Sequence, residues 1–124
     1  MVSSQTRPVL VVDDDVVILE SIQLALMDEG YAVVVASNGQ EAIERAREHA
    51  PCLILLDMKM PIMDGWAFAA AYREQPAPHA PIVVMTAAHD SRARAAEIGA
   101  DSFLSKPFDL EHLFDMVRRF ATAA

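Results

Sequence analysis

Five polar side chains stand at the ends of four apolar runs, and their types could do chemistry together. Asp13 and Asp14 follow "PVLVV", Asp57 follows "CLILL", Thr86 follows "PIVVM" and Lys106 follows "SFLS". Carboxylates can ligate a hard cation or act as nucleophiles. A lysine and a hydroxyl can neutralise and hydrogen-bond an anion. Each residue taken alone has a plainer explanation. Asp13-Asp14 can cap a following helix, Asp57 can be a turn residue, Thr86 an ordinary strand residue and Lys106 a solvated lysine. A cap accounts for one aspartate, not for two or three. The weight of the set comes from its members ending separate runs.

Those runs have strand length: 8–13, 32–37, 52–57, 81–87 and the shorter 102–106. They are unbroken rather than alternating, the pattern of strands covered on both faces of a parallel sheet. The segments between them carry helical spacing. Ile18, Ile22, Ala25 and Leu26 line a first helix that Gly30 ends, and Ala42, Ile43 and Ala46 line a second with Pro51 beyond it. Asp64 can cap a third helix facing inward through Phe68, Ala69 and Tyr72. A fourth, about 90–98, is alanine-rich and closed by Gly99. Asp109 can cap a fifth with Leu110, Leu113, Phe114 and Val117 on one stripe. A strand–helix unit thus repeats five times, and right-handed crossovers place helices on both sheet faces. In such α/β folds ligands bind at the C-terminal strand ends, which is where four of the five strands deliver a polar group.

The segments "VVDDD", "LLDMKMPIMDG", "VMTA" and "GADSFLSKPF", in this order over nearly the whole chain, resemble the receiver domain of two-component response regulators. The resemblance implies one receiver domain over residues 1–124. It also implies a flavodoxin-like (βα)5 three-layer sandwich with a central parallel sheet of order 2-1-3-4-5. In that order the first and third strands are neighbours about 5 Å apart, so Asp13, Asp14 and Asp57 would crowd. Two unit charges at that separation repel by about 3 kcal/mol at an effective dielectric near 20. A divalent cation relieves this, and an all-oxygen pocket suits Mg²⁺. Three negative charges are then balanced by the ion and Lys106.

The same resemblance implies the roles. Asp57 is the phosphoacceptor, taking a phosphoryl group from a sensor histidine kinase or phosphotransfer protein, or from a small donor such as acetyl phosphate. Asp14, Asp57 and the backbone carbonyl of Lys59 ligate Mg²⁺, and Asp13 acts largely through water. Lys106 pairs with the phosphate, Thr86 turns toward it, and Phe103, where tyrosine is frequent in the family, fills the space Thr86 leaves. The surface of helix 4, strand 5 and helix 5 then changes affinity for an unknown downstream protein, with a phosphorylation-dependent dimer as one outcome. The Lys106–Pro107 bond is expected to be cis. The chain would be a signalling switch, not an enzyme beyond promoting its own Mg²⁺-dependent phosphorylation and dephosphorylation. Ala88 offers no group to hold an attacking water and Lys59 can bond a carboxylate or the phosphate, so a long-lived phosphoryl group is expected.

The rest of the composition excludes other classes. The 124 residues are 53% hydrophobic with a net charge of −8, which argues against a basic face for nucleic acid. No apolar run reaches membrane-span length, and "MVSSQTRPVLVVDDD" lacks signal-peptide character, so a cytoplasmic location is expected. The single Cys52 cannot form an internal disulfide. The four histidines have no ligand spacing, and Met58, Met60 and Met63 read as packing residues. An aspartate-nucleophile phosphatase would want a second aspartate two residues after Asp57, where Lys59 stands. A flavin site would be repelled by "DDDVV". The alternative of a pseudo-receiver, a phosphorylation-independent binding module, usually lacks one of the residues present here.

Overall fold

The computed structural model of the chain describes residues 7–121. The single-domain reading over 1–124 therefore includes residues 1–6 and 122–124, which lie outside the described residues. Strands and helices alternate as β1 (Val9–Val12), α1 (Val16–Asp28), β2 (Val33–Ala36), α2 (Gly39–His49), β3 (Leu53–Asp57), α3 (Gly65–Glu74), β4 (Ile82–Ala87), α4 (Ala88–Ile98), β5 (Ser102–Lys106) and α5 (Leu110–Ala121). All pairings are parallel, in one sheet of order β2-β1-β3-β4-β5.

The unbroken apolar runs follow from a sheet with two covered faces. Leu10, Val12, Ile54, Leu56, Ile82 and Val84 meet side chains of α2, α3 and α4, including Ala42, Phe68, Tyr72 and Ile98. The intervening residues Val9, Val11, Leu53, Leu55, Val83 and Met85 meet Leu19, Ile22 and Leu26 of α1 and Leu113 and Val117 of α5. Every residue of β1 and β3 is buried. At about 1.5–3 kcal/mol for each large apolar side chain buried, this fixes the register of the central strands and with it their ends.

The expected caps are present on α3 and α5, where Asp64 accepts from the Ala67 N–H and Asp109 from the His112 N–H. Three particulars differ from the sequence reading. Helix α1 is capped by Asp15, which accepts from Val17 and Ile18, so Asp13 and Asp14 are free of that task. Helix α4 starts at Ala88, directly from β4, with Ala87 as N-cap and no side-chain cap hydrogen bond. Leu110 is 53% exposed rather than buried: as the first residue of α5 it rims an apolar groove of about 330 Å³ shared with Val17, Ile18 and Phe108. The Lys106–Pro107 bond is cis, as is Ala77–Pro78 in the proline-rich loop before β4. Among the described residues, no helix is long and apolar enough to cross a membrane.

Candidate functional site

Because Val12 pairs with Leu56, the next residues, Asp13 and Asp57, emerge side by side from neighbouring central strands. Asp14 follows on the turn into α1. One carboxylate oxygen from each of Asp13, Asp14 and Asp57 lies within 4.8 Å of the others. Asp13 is 1% exposed and Asp57 8%, while Asp14 is exposed. Lys106 enters from the end of β5, beyond β4, and its ammonium donates to Asp13 Oδ2 at 2.7 Å. It lies 3.6 Å from Asp57 Oδ1. The other oxygen of Asp13 accepts from the Asp15 N–H at 2.9 Å. Asp15 thus caps α1 and its N–H orients Asp13; the capping preference of aspartate before an apolar-periodic segment is the sequence signal for it.

The electrostatics show an unbalanced pocket. Burial is the largest influence on Asp57, followed by the charge of Asp13, and together with Asp14 they outweigh Lys106 and push the carboxyl up to about 6. Burial works against the Lys106 ammonium, but the hydrogen bond and charge of Asp13, with Asp57 beyond, overcome it and raise its pKa. One lysine cannot neutralise three acids. The donor set is all oxygen, with no cysteine or histidine in the cluster. Excess negative charge on hard ligands at a rim open to water fits Mg²⁺, which retains several waters.

The other sequence-predicted residues lie at different depths in the fold. Thr86 is buried at the end of β4, and its strand pairing sets it beside Ser105, one residue before Lys106. Phe103 is half-buried against the core face shared with α4, and the Arg92 guanidinium lies 5.5 Å from its ring centre. Lys59 is exposed on the loop between β3 and α3, and Ala88 is exposed at the start of α4. Met58 is fully buried and Met60 and Met63 pack on the same core, as packing residues should. Gly65 is required by a close approach: a β-carbon there would lie 2.8 Å from the Asp57 carbonyl oxygen. The Trp66 indole N–H donates to Glu97 of α4 at 2.7 Å. The pair Ser91 Oγ–Ser105 Oγ, with Ser91 buried and Ser105 half-buried, 2.8 Å apart and joining α4 to β5, had no signal in the sequence.

A family model described as response regulator receiver domain matches residues 9–118. Among curated proteins the chain is 40% identical over 122 residues to the transcriptional regulatory protein PrrA of Mycobacterium leprae, covering 93% of this chain and 52% of that protein. It is 35% identical over 112 residues to the transcriptional regulatory protein KdpE of Mycobacterium tuberculosis, covering 89% and 49%. The chain therefore spans about half the length of these curated relatives. Among solved structures, the chemotaxis response regulator CheY4 of Vibrio cholerae superposes with a TM-score of 0.83 at 32% identity, covering 93% of this chain and 98% of that one.

Proposed function

This chain belongs to the response regulator receiver domain family, and from that membership we propose that it is a phosphorylation switch with Asp57 as phosphoacceptor. The observation that carries the proposal is the cluster itself: three carboxylates within 4.8 Å of one another, with Lys106 at 2.7 Å from one and 3.6 Å from the acceptor. The donor is a phosphohistidine of a sensor histidine kinase or phosphotransfer protein. An Asp57 oxygen forms the new P–O bond as the P–N bond breaks, and that electron pair returns to the leaving imidazole. Asp13, Asp14, Asp57 and the Lys59 carbonyl would hold Mg²⁺, which supplies the charge neutralisation that phosphoryl transfer needs. Lys106 takes over as partner of the phosphoryl oxygens, and the Thr86 hydroxyl donates to them.

The switch is a population shift driven by the phosphoryl group binding one state better. Thr86 moving toward the phosphate draws on the start of α4, since no loop separates β4 from α4. Phe103 fills the vacated space, and the α4–β5–α5 surface acquires affinity for a downstream protein or a second copy of the chain. The chain acts once per phosphoryl group received, as a signalling component and not as a turnover enzyme. Acetyl phosphate with Mg²⁺ tests this. The unaltered protein should gain an alkali-labile phosphoryl group and Asp57→Asn should gain none. Equal labelling of both, or of neither, would sink the proposal, the second result leaving a phosphorylation-independent binding module.

A further inference from the structure

We infer that Gly39, on α2 and outside the acidic cluster, is a positioning residue for the metal-binding loop; the inference rests on the site reading above. The loop between β3 and α3 carries Lys59, whose carbonyl that reading assigns to Mg²⁺. At its far end the loop is closed by the Gly65 N–H donating to Met58 O at 2.8 Å. Within it, Met63 N–H donates to Pro61 O at 2.7 Å. This tight turn forces Ile62 to a φ of +71°, a conformation that β-branched residues rarely adopt. The Ile62 side chain is 79% exposed, so its own packing does not impose that backbone. An anchor elsewhere must.

That anchor is the first residue of α2. A helix start has donors without intrahelical partners, and the Gly39 N–H spends its donor on Met63 O at 2.8 Å. The helix start is itself held firmly. Asn38 accepts from the Glu41 N–H at 2.9 Å, and the Glu41 carboxylate accepts from the Ser37 N–H and hydroxyl at 2.8 and 3.0 Å, a reciprocal cap. The contact leaves no space: a β-carbon on Gly39 would lie 2.6 Å from Met63 O and 2.7 Å from Met63 Cγ. The first of these is a backbone atom, so any side chain at position 39 must displace the loop. Mg²⁺ demands near-ideal octahedral geometry, so a small displacement of the Lys59 carbonyl weakens it.

Calorimetric titration with Mg²⁺ alone, together with thermal melts, tests the inference on Gly39→Ala, Gly99→Ala and the unaltered chain. Gly99 ends α4 at a φ of +63° with nothing within 4 Å of an added β-carbon, so its substitution strains the backbone without touching the loop. Both variants should melt earlier, but only Gly39→Ala should lose Mg²⁺ affinity, by about tenfold, the scale of outer-shell supports in metal sites. Unchanged affinity in Gly39→Ala, or an equal loss in Gly99→Ala, overturns the inference while leaving the site reading intact. An unaltered chain that takes up no Mg²⁺ overturns both. Hydrogen exchange in the unaltered protein gives a second readout that does not depend on a variant folding. By reciprocity of linkage, Mg²⁺ should slow exchange of the Gly39 amide more than that of the Glu41 amide in the same turn. Equal or absent slowing overturns the inference.

Discussion

At the scale of single residues, the pocket is built to be uncomfortable without its ligands. Asp57 has its carboxyl pushed up to about 6 from an ordinary 3.8. The native state therefore holds a proton between those two values that the unfolded chain has released. Stability from this group is present below 3.8, falls as pH rises through that window, and levels off above about 6. A shift of this size corresponds to about 3 kcal/mol. Asp57→Asn should accordingly be more stable than the unaltered chain in metal-free buffer at pH 7.5, by about 1–3 kcal/mol. The gain should shrink toward pH 4. Urea unfolding at both pH values checks this, and a constant difference would count against the cluster as its origin. Ala88, exposed at the start of α4, bears on lifetime rather than stability. With no side-chain group there to orient water, the aspartyl phosphate should persist for about minutes or longer in Mg²⁺ buffer, general-base help being worth about a hundredfold or more. A half-life of seconds would argue that another group positions the water.

At the scale of elements, what could be read from the sequence divides by the range of the interaction. Buried parallel strands print as unbroken apolar runs, so β1 to β4 and the residues at their tips were legible within a residue or two. Caps by Asp64 and Asp109 are local chemistry and were legible for the same reason. Leu110 was misjudged because helical spacing says which residues share a stripe, not whether the neighbouring helix reaches the stripe's first turn. The Gly39–Met63 and Ser91–Ser105 contacts join segments 24 and 14 positions apart, and no periodicity announces such pairs. The serine pair yields a test at this scale. Ser91 is 1% exposed and also donates to the Ala88 carbonyl at 3.1 Å. Removing one hydroxyl leaves the other without its partner at the α4–β5 interface, so Ser91→Ala should cost about 1 kcal/mol. Adding Ser105→Ala should cost little more, because the orphaned group is then gone. A double-mutant cycle by chemical denaturation measures the coupling, and strict additivity would mean that the two hydroxyls do not hold α4 to β5.

At the scale of the whole molecule, the sheet order turns separate residues into one site. Placing β1 beside β3 brings Asp13 to Asp57, and Lys106 reaches both from β5, two strands beyond β3 and three beyond β1. The core holds the ends of β1 and β3 fixed, so Asp13 and Asp57 cannot part to relieve their repulsion, and the proposed cation would offset that cost. Binding to the native state alone then adds RT ln(1 + [L]/Kd) to stability. Mg²⁺ at about a hundred times its dissociation constant should thus stabilise the chain by about 2.7 kcal/mol, raising the melting temperature by about 5 °C or more for a domain of this size. General screening makes a different prediction. With a net charge of −8, the chain would gain from any salt through reduced self-repulsion. Sodium chloride at matched ionic strength separates the two, since screening acts over the whole surface and cannot distinguish Mg²⁺ from Na⁺ at equal ionic strength. The increment specific to Mg²⁺ should be lost in Asp57→Asn, which removes a ligand and much of the repulsion together. Melts in which Mg²⁺ and matched Na⁺ act alike, or in which Asp57→Asn keeps the full Mg²⁺ increment, would place the ion on the surface at large and not at the tips of β1 and β3.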